Sequence, residues 1–263
     1  MTTEQNTGGE RTAVVVGTGP VIGRACAGAL ARDGLRVACL DRDADAAKAS
    51  AEAVRAAGGS ADDYVVDVLD RDAVRATLAD IVQAHGVPDV LVNVVGGSKW
   101  SLSAETDDAE WDSVIALNLR QQWVVAQETL RHMIPAGRGA IVAIASVSGL
   151  DASTRHGAYG AAKAGLINLV KTLAVENGPH GIRVNAVAPG TIDTPARAGV
   201  GDDDLGSKVP LGRRGTAAEI GNAAAFLASP LAGYITGQGA DRRRWRHGQA
   251  QPKRLGLIGP TTH

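Results

Sequence analysis

Aromatic side chains are scarce in this chain: they make up 3% of its 263 residues, and Phe226 is the sole phenylalanine. A core must therefore be built from Ala, Val, Leu and Ile, and an apolar share of 44% is enough for a sizeable one. Cysteine is almost missing. Cys26 and Cys39 form no C-x-x-C pair, so neither a disulfide framework nor a cysteine-held zinc site is expected. Each lies in an apolar or helical stretch and reads as a buried thiol. Excess charge is absent too, since a net −1 at pH 7 exerts no overall pull on nucleic acid or an anionic membrane. No apolar run approaches the roughly 20 residues that a bilayer span needs. The opening "MTTEQNTGGERT" lacks the apolar stretch of a secretory signal. The expectation is a soluble, cytoplasmic protein with no metal and with no membrane or nucleic-acid partner.

What the chain does have is alternation. The runs "TAVVVG" (12–17), "RVACLD" (36–41), "DDYVVD" (62–67), "PDVLVNVVGG" (88–97), "GAIVAIAS" (139–146) and "IRVNAVAPG" (182–190) are short and β-branched. Most are continuously apolar, as strands buried on both faces of a parallel sheet are. Between them lie amphipathic stretches that end at glycine, such as "VIGRACAGALARDG" with Gly34 as its stop. The repeated order predicts an α/β fold: a single-domain, Rossmann-type, doubly wound parallel sheet flanked by helices. Its span is 11–240, after a flexible arm (1–10) and before an atypical tail (241–263).

The stretch "VVVGTGPVIGRA" (14–25) joins the first strand to the first helix. Its glycines have distinct mechanical jobs in a nucleotide loop. Gly17 permits the turn, Gly19 lets backbone approach a pyrophosphate, and Gly23 permits helix–strand contact. Pro20 fits the first helical position, where its missing N–H is no loss. The last gap is one residue longer than in G-x-G-x-x-G, so a plain tight turn is an equal reading of the loop alone. Asp41 adds weight to the nucleotide reading. It ends the second strand, where a carboxylate can accept both ribose hydroxyls of an adenosine and repel the 2′-phosphate of NADP. Arg42 next to it softens that repulsion, and NAD is the expected cofactor.

Tyr159 and Lys163, four residues apart, share one helical face. A phenol with a pKa of about 10 is a poor base at neutral pH, but an ammonium beside it stabilises the phenolate. Ser146 ends a strand 13 residues earlier, and Asn118 interrupts an apolar helical pattern. With these four in place, residues 11 to 239 resemble a short-chain dehydrogenase/reductase. The resemblance implies that Tyr159 transfers the proton, and that Lys163 lowers its pKa and binds the nicotinamide ribose. It gives Ser146 the reacting oxygen and Asn118 an ordered water. "VNAVAPGTIDTP" matches the family's segment after the sixth strand, which puts Pro189, Gly190 and Ile192 beside the nicotinamide and Thr194 near its carboxamide. Asp67 and Val68 match the adenine side. Gly17, Gly19, Val21, Ile22, Gly23, Asp41, Arg42, Asn93 and Gly96 complete the expected cofactor set with Tyr159 and Lys163.

This chain departs from the family pattern in two places. Val16 and Val21 replace a threonine and the middle glycine of the loop, and "NVVGG" (93–97) replaces Asn-Asn-Ala-Gly. A different backbone path near the pyrophosphate is therefore expected. The reading is an NAD-dependent oxidoreductase that interconverts a secondary alcohol and a ketone on a small or medium organic substrate, as a homotetramer. An NADPH-dependent ketoreductase and a non-catalytic dinucleotide-binding regulator are the alternatives. The Gly- and Asp-rich segment 196–215 is expected to cover the pocket, with Trp100 and Val147 to Leu150 as further lining. After Ala240 the family's ending is lost. Residues 241–254 carry a net +5, and the expectation is a lineage-specific tail or a changed reading frame, dispensable for turnover.

Overall fold

Strands form where the apolar runs predict them, and all but the second are shorter than the runs. The computed structural model of the chain describes residues 10–194 and 209–239. Its strands are β1 (Thr12–Val16), β2 (Arg36–Asp41), β3 (Ala61–Val65), β4 (Val90–Asn93), β5 (Gly139–Ile144) and β6 (Ile182–Val187). All pair in parallel, in the order β3-β2-β1-β4-β5-β6. The expected runs overshoot because their last residues turn into the loops at the carboxyl edge. The β1–β4 pairing, for example, stops at Val16 opposite Asn93.

The helices are α1 (Ile22–Arg32), α2 (Ala44–Ala56), α3 (Arg71–His85), α4 (Asp108–Ile115), α5 (Gln121–Ala136), α6 (Gly157–Asn177) and α7 (Ala217–Ala228). Alternate residues of a strand face opposite sides, and the core divides accordingly. Ala13 and Val15 of β1 pack with Cys26 and Leu30 of α1, Val54 of α2 and Ala224 of α7. Val14 and Val16 pack on the other side with Leu78 of α3, Met133 of α5 and Leu166 of α6. Both cysteines are fully buried, and burial pushes each thiol up to about 12.

Capping is local and legible. Asp43 and Asp70 accept backbone N–H groups in the first turns of α2 and α3. The first three helices give way to Gly34, Gly58 and Gly86, all at positive φ as expected. Pro20 departs from expectation. It lies in a turn two residues before α1, because Val21 interposes and the helix starts only at Ile22. Beyond β6, Gly237 donates to the Val184 carbonyl and Ala186 to that of Gln238, so a seventh position runs beside the sheet as far as Gly239. The arm up to residue 9, the segment 195–208 and the tail from 240 lie outside the described residues.

Candidate active site

The strand order reverses between β1 and β4, and a crevice opens there at the carboxyl ends of the strands. It encloses about 400 Å3. Of the expected cofactor residues, Gly17, Gly19, Val21, Ile22, Gly23, Asp41, Arg42, Asp67, Val68, Gly96 and Thr194 all border it. A larger hollow of about 620 Å3 between α1 and α2 contains none of the expected catalytic groups.

The glycine loop is shaped by backbone. Gly17 has φ +84, and a Cβ there would meet Val95. Its N–H and that of Thr18 donate to the Leu40 carbonyl at 2.8 and 3.1 Å, which ties the loop to β2. A Cβ on Gly23 would run into the Gly17 carbonyl, so the helix–loop contact requires glycine. A Cβ on Gly19 would meet only Asp41 Oδ2, at 3.9 Å; its free side opens into the crevice. Val16 supplies no hydroxyl, but the buried Thr18 does, donating to Leu40. The Thr18 carbonyl in turn accepts from Ser50, which accepts from Arg24 Nε at 3.1 Å.

The expected catalytic residues converge beside this crevice. Ser146 lies two residues past β5, and Tyr159 and Lys163 stand in the first turns of α6. Ser146 stands close enough to the Tyr159 hydroxyl to pull the phenol's pKa down, and the Ser146 Oγ accepts from the Ser148 N–H at 3.1 Å. Lys163 is 2% exposed, with its Nζ 5.7 Å from the centre of the Tyr159 ring. That Nζ donates to the Ile144 carbonyl at 2.9 Å. Burial lowers its pKa to about 8. Burial also raises the Tyr159 phenol, against the pull of Ser146. Desolvation is the larger of the two influences on the phenol, and the Lys163 ammonium donates to the Ile144 carbonyl.

Asn118 is fully buried in a widened, π-helical turn (Ala116–Arg120) between α4 and α5. Such turns leave backbone groups short of ladder partners and concentrate at functional sites. The Asn118 amide donates to the Val114 carbonyl four residues back. It also clasps Gly97 at both N–H (3.0 Å) and carbonyl (2.8 Å). Gln121 does the same one turn later, donating to Leu117 and to Val95. Gly96 fits between Asn118 and Lys163: a Cβ there would lie 2.7 Å from Asn118 Oδ1 and 2.9 Å from Lys163 Nζ.

Some expected residues occupy other places. Asn93 is buried, with its amide donating to Gln121 and its Oδ1 accepting from the Val95 N–H; it shapes the β4 loop from behind. Pro189 offers its carbonyl to the Val147 N–H, and Gly190 is exposed. Ile192 packs with Ile144 and Ile220. Sequence reasoning missed Gln121 and Gln122, both buried and both donating to the Val95 carbonyl. Two adjacent amides inside an apolar helix were the available signal.

Comparison with known proteins agrees with this geometry. The family model described as enoyl-(acyl carrier protein) reductase matches residues 18–240. The 3-oxoacyl-[acyl-carrier-protein] reductase FabG of Chlamydia muridarum is 40% identical over 232 residues, 87% of this chain and 94% of that protein. The cis-4-hydroxycyclohexanecarboxylate dehydrogenase of Sinomonas cyclohexanicum is also 40% identical over 232 residues, covering 87% and 93%. A solved short-chain dehydrogenase/reductase from Burkholderia xenovorans superposes with a TM-score of 0.85 at 35% identity, over 90% of this chain and 97% of that one. The chain belongs to the short-chain dehydrogenase/reductase family and is a nicotinamide-dinucleotide-dependent oxidoreductase.

Proposed function

We propose that this enzyme interconverts a secondary alcohol and a ketone on a small or medium organic substrate, with NAD as its cofactor. The observation that carries the reading is the Ser146–Tyr159–Lys163 cluster set beside the crevice, with Gly96 leaving no slack between Lys163 and Asn118. The crevice fits a dinucleotide: Gly17 and Gly23 give the loop its path, and Gly19 opens toward Asp41. Gly17, Gly19 and Gly23 would hold the pyrophosphate, Asp41 the adenosine ribose and Asp67 the adenine. Bound there, the nicotinamide supplies hydride acceptance or donation.

The chain's own residues do the rest. Tyr159 holds or releases a proton at its hydroxyl oxygen, while Ser146 binds the reacting oxygen and fixes its distance from the phenol. An ammonium on Lys163 favours the phenolate, and Asn118, locked on Gly97, keeps Lys163 in place from the other side of Gly96. Asp41 sets the cofactor choice, since a carboxylate there accepts ribose hydroxyls and repels a 2′-phosphate. A second reading, reduction of a 3-oxoacyl group carried on acyl carrier protein, draws on the FabG relative. A homotetramer is part of the first reading, with the half-exposed Trp123 on α5 and exposed Val175 on α6 as contact surface.

Steady-state turnover of an alcohol and ketone panel, with NAD and NADP in parallel, tests this reading. Tyr159→Phe should lower kcat by about 10²–10⁴ while cofactor binding persists. A variant that retains more than a tenth of wild-type kcat rejects the role of Tyr159. Asp41→Ala should narrow the preference for NAD, and a wild type that binds NADP more tightly rejects that preference. Light scattering that shows a monomer at working concentration rejects the tetramer.

A further inference from the structure

A tryptophan with more than half its surface exposed, close to a catalytic phenol, calls for an explanation. Trp100 is 55% exposed. Its ring lies 4.4 Å from that of His156, tilted by 53°, and the His156 ring lies 5.3 Å from Tyr159, edge-on at 64°. Three rings thus step from the solvent down to the phenol. His156 packs on Tyr159 and Trp100 packs on His156, both outside the lining of the dinucleotide crevice.

The steps are held in place by the two segments that carry them. Ser101, after β4, bridges to His156, just before α6. The Arg155 guanidinium donates to the Trp100 carbonyl at 3.3 Å. A hydrogen bond of 2.8 Å between Ser148 Oγ and Nδ1 sets the plane of the His156 ring. Gly157 admits Ser103 so closely that a Cβ would stand 2.6 Å from its hydroxyl. Arg155 itself sits at φ +63, the one non-glycine residue at positive φ among the described residues. A bulky residue in that region persists only where its surroundings over-determine it, and such positions gather at functional sites.

We propose that Trp100 and His156 form a substrate-facing wall beside Tyr159 that selects secondary alcohols and ketones whose reacting carbon lies in a ring. A ring presents a preformed face to a flat wall, whereas an open chain must give up rotamer freedom to cover the same surface. The inference rests on the alcohol–ketone reading above and adds no chemical step to it. It concerns which carbinol reaches Tyr159.

The experiment compares kcat/KM for cyclohexanol and 3-hexanol, an open chain of equal carbon number, with NAD, in wild type, Trp100→Ala, His156→Ala and Trp100→Phe. Wild type is expected to favour cyclohexanol by at least tenfold. Trp100→Ala and His156→Ala should each cut that ratio by roughly three- to tenfold, the order of one ring contact. Trp100→Phe, which keeps a flat face, should retain most of it, and this separates a wall from a merely structural residue. Turnover of 3-hexanol without a ring preference in wild type overturns this proposal alone, as does a ratio that none of the variants moves. Failure of wild type on both alcohols overturns the alcohol–ketone reading, and the wall with it.

Discussion

The two halves of the sheet build their parts of the site by opposite means. Around β1 and β2, the crevice is shaped by what is missing: Gly17, Gly19 and Gly23 carry no side chain, and the loop is tied by backbone N–H groups to Leu40. Around β4 and β5, buried polar side chains hold it: Asn93, Asn118, Gln121, Gln122 and Lys163 are each no more than 3% exposed, and each has hydrogen-bond partners. The contrast explains why the first half tolerates Val16 and Val21 where the family has threonine and glycine. Backbone does the work there, and a displaced hydroxyl is replaced by that of Thr18. In the second half Asn93, Asn118 and Gln121 each have two or more partners and Gln122 has the Val95 carbonyl, and a change leaves buried groups unsatisfied.

The largest effect that would sharpen this contrast is a pH dependence. Burial lowers the Lys163 pKa from 10.5 to about 8, so between those values the unfolded chain binds the proton that the folded one has released. Stability from this group therefore rises with pH from about 8 to about 10.5, by about 3 kcal/mol, and the penalty is fully present below pH 8. Lys163→Met should remove that rise. Urea midpoints of variant and wild type that stay parallel across this window would show that the polar half carries no such penalty. Next comes Gly96→Ala, whose methyl must displace Asn118 or Lys163. Misplacement of catalytic groups on this scale costs about 10²-fold in kcat/KM. A variant with more than a tenth of wild-type activity would show slack between them.

Smaller effects are expected in the first half. Gly23→Ala pushes a methyl into the backbone of Gly17 and Thr18 and should cost about 1–3 kcal/mol. Gly19→Ala should change stability by less than about 0.5 kcal/mol, since nothing lies closer than 3.9 Å. Equal shifts in thermal melting for the two would break the distinction between packing and ligand-facing glycines. Between these two lies Ser50→Ala, which leaves the Thr18 carbonyl without its side-chain donor and should cost about 1 kcal/mol by denaturant titration.

Much of the fold could be read from the sequence, because strands buried on both faces are continuous apolar runs and because helices here end at glycine. Val14 through Val16 and Leu91 through Asn93 announced themselves in this way. The crevice residues were also readable, since loop glycines and a strand-end aspartate have local signatures. What stayed hidden depends on distant partners. Pro20 looks like a helix start until Val21 is seen to interpose. Asn93 looks like a ligand residue until Gln121, 28 positions away, takes its amide. The phenol's direction of shift could not be read from Tyr159 and Lys163 alone, because it follows from burial by the surrounding fold. The contact between Trp100 and His156 spans two loops that no periodicity connects.

The widened turn at Ala116–Arg120 has a consequence for how this enzyme can change over time. A π-helical turn is one residue more than an α-helix needs, so the length of this segment is as constrained as its composition. Deleting any one residue from it would let α4 and α5 fuse into a regular helix and turn one relative to the other by about 100°. Asn118 would lose its hold on Gly97, and α4 would swing off its contact with α6. Substitutions along the exposed face of this segment are thereby neutral steps for drift, whereas a single-codon deletion is a dead end.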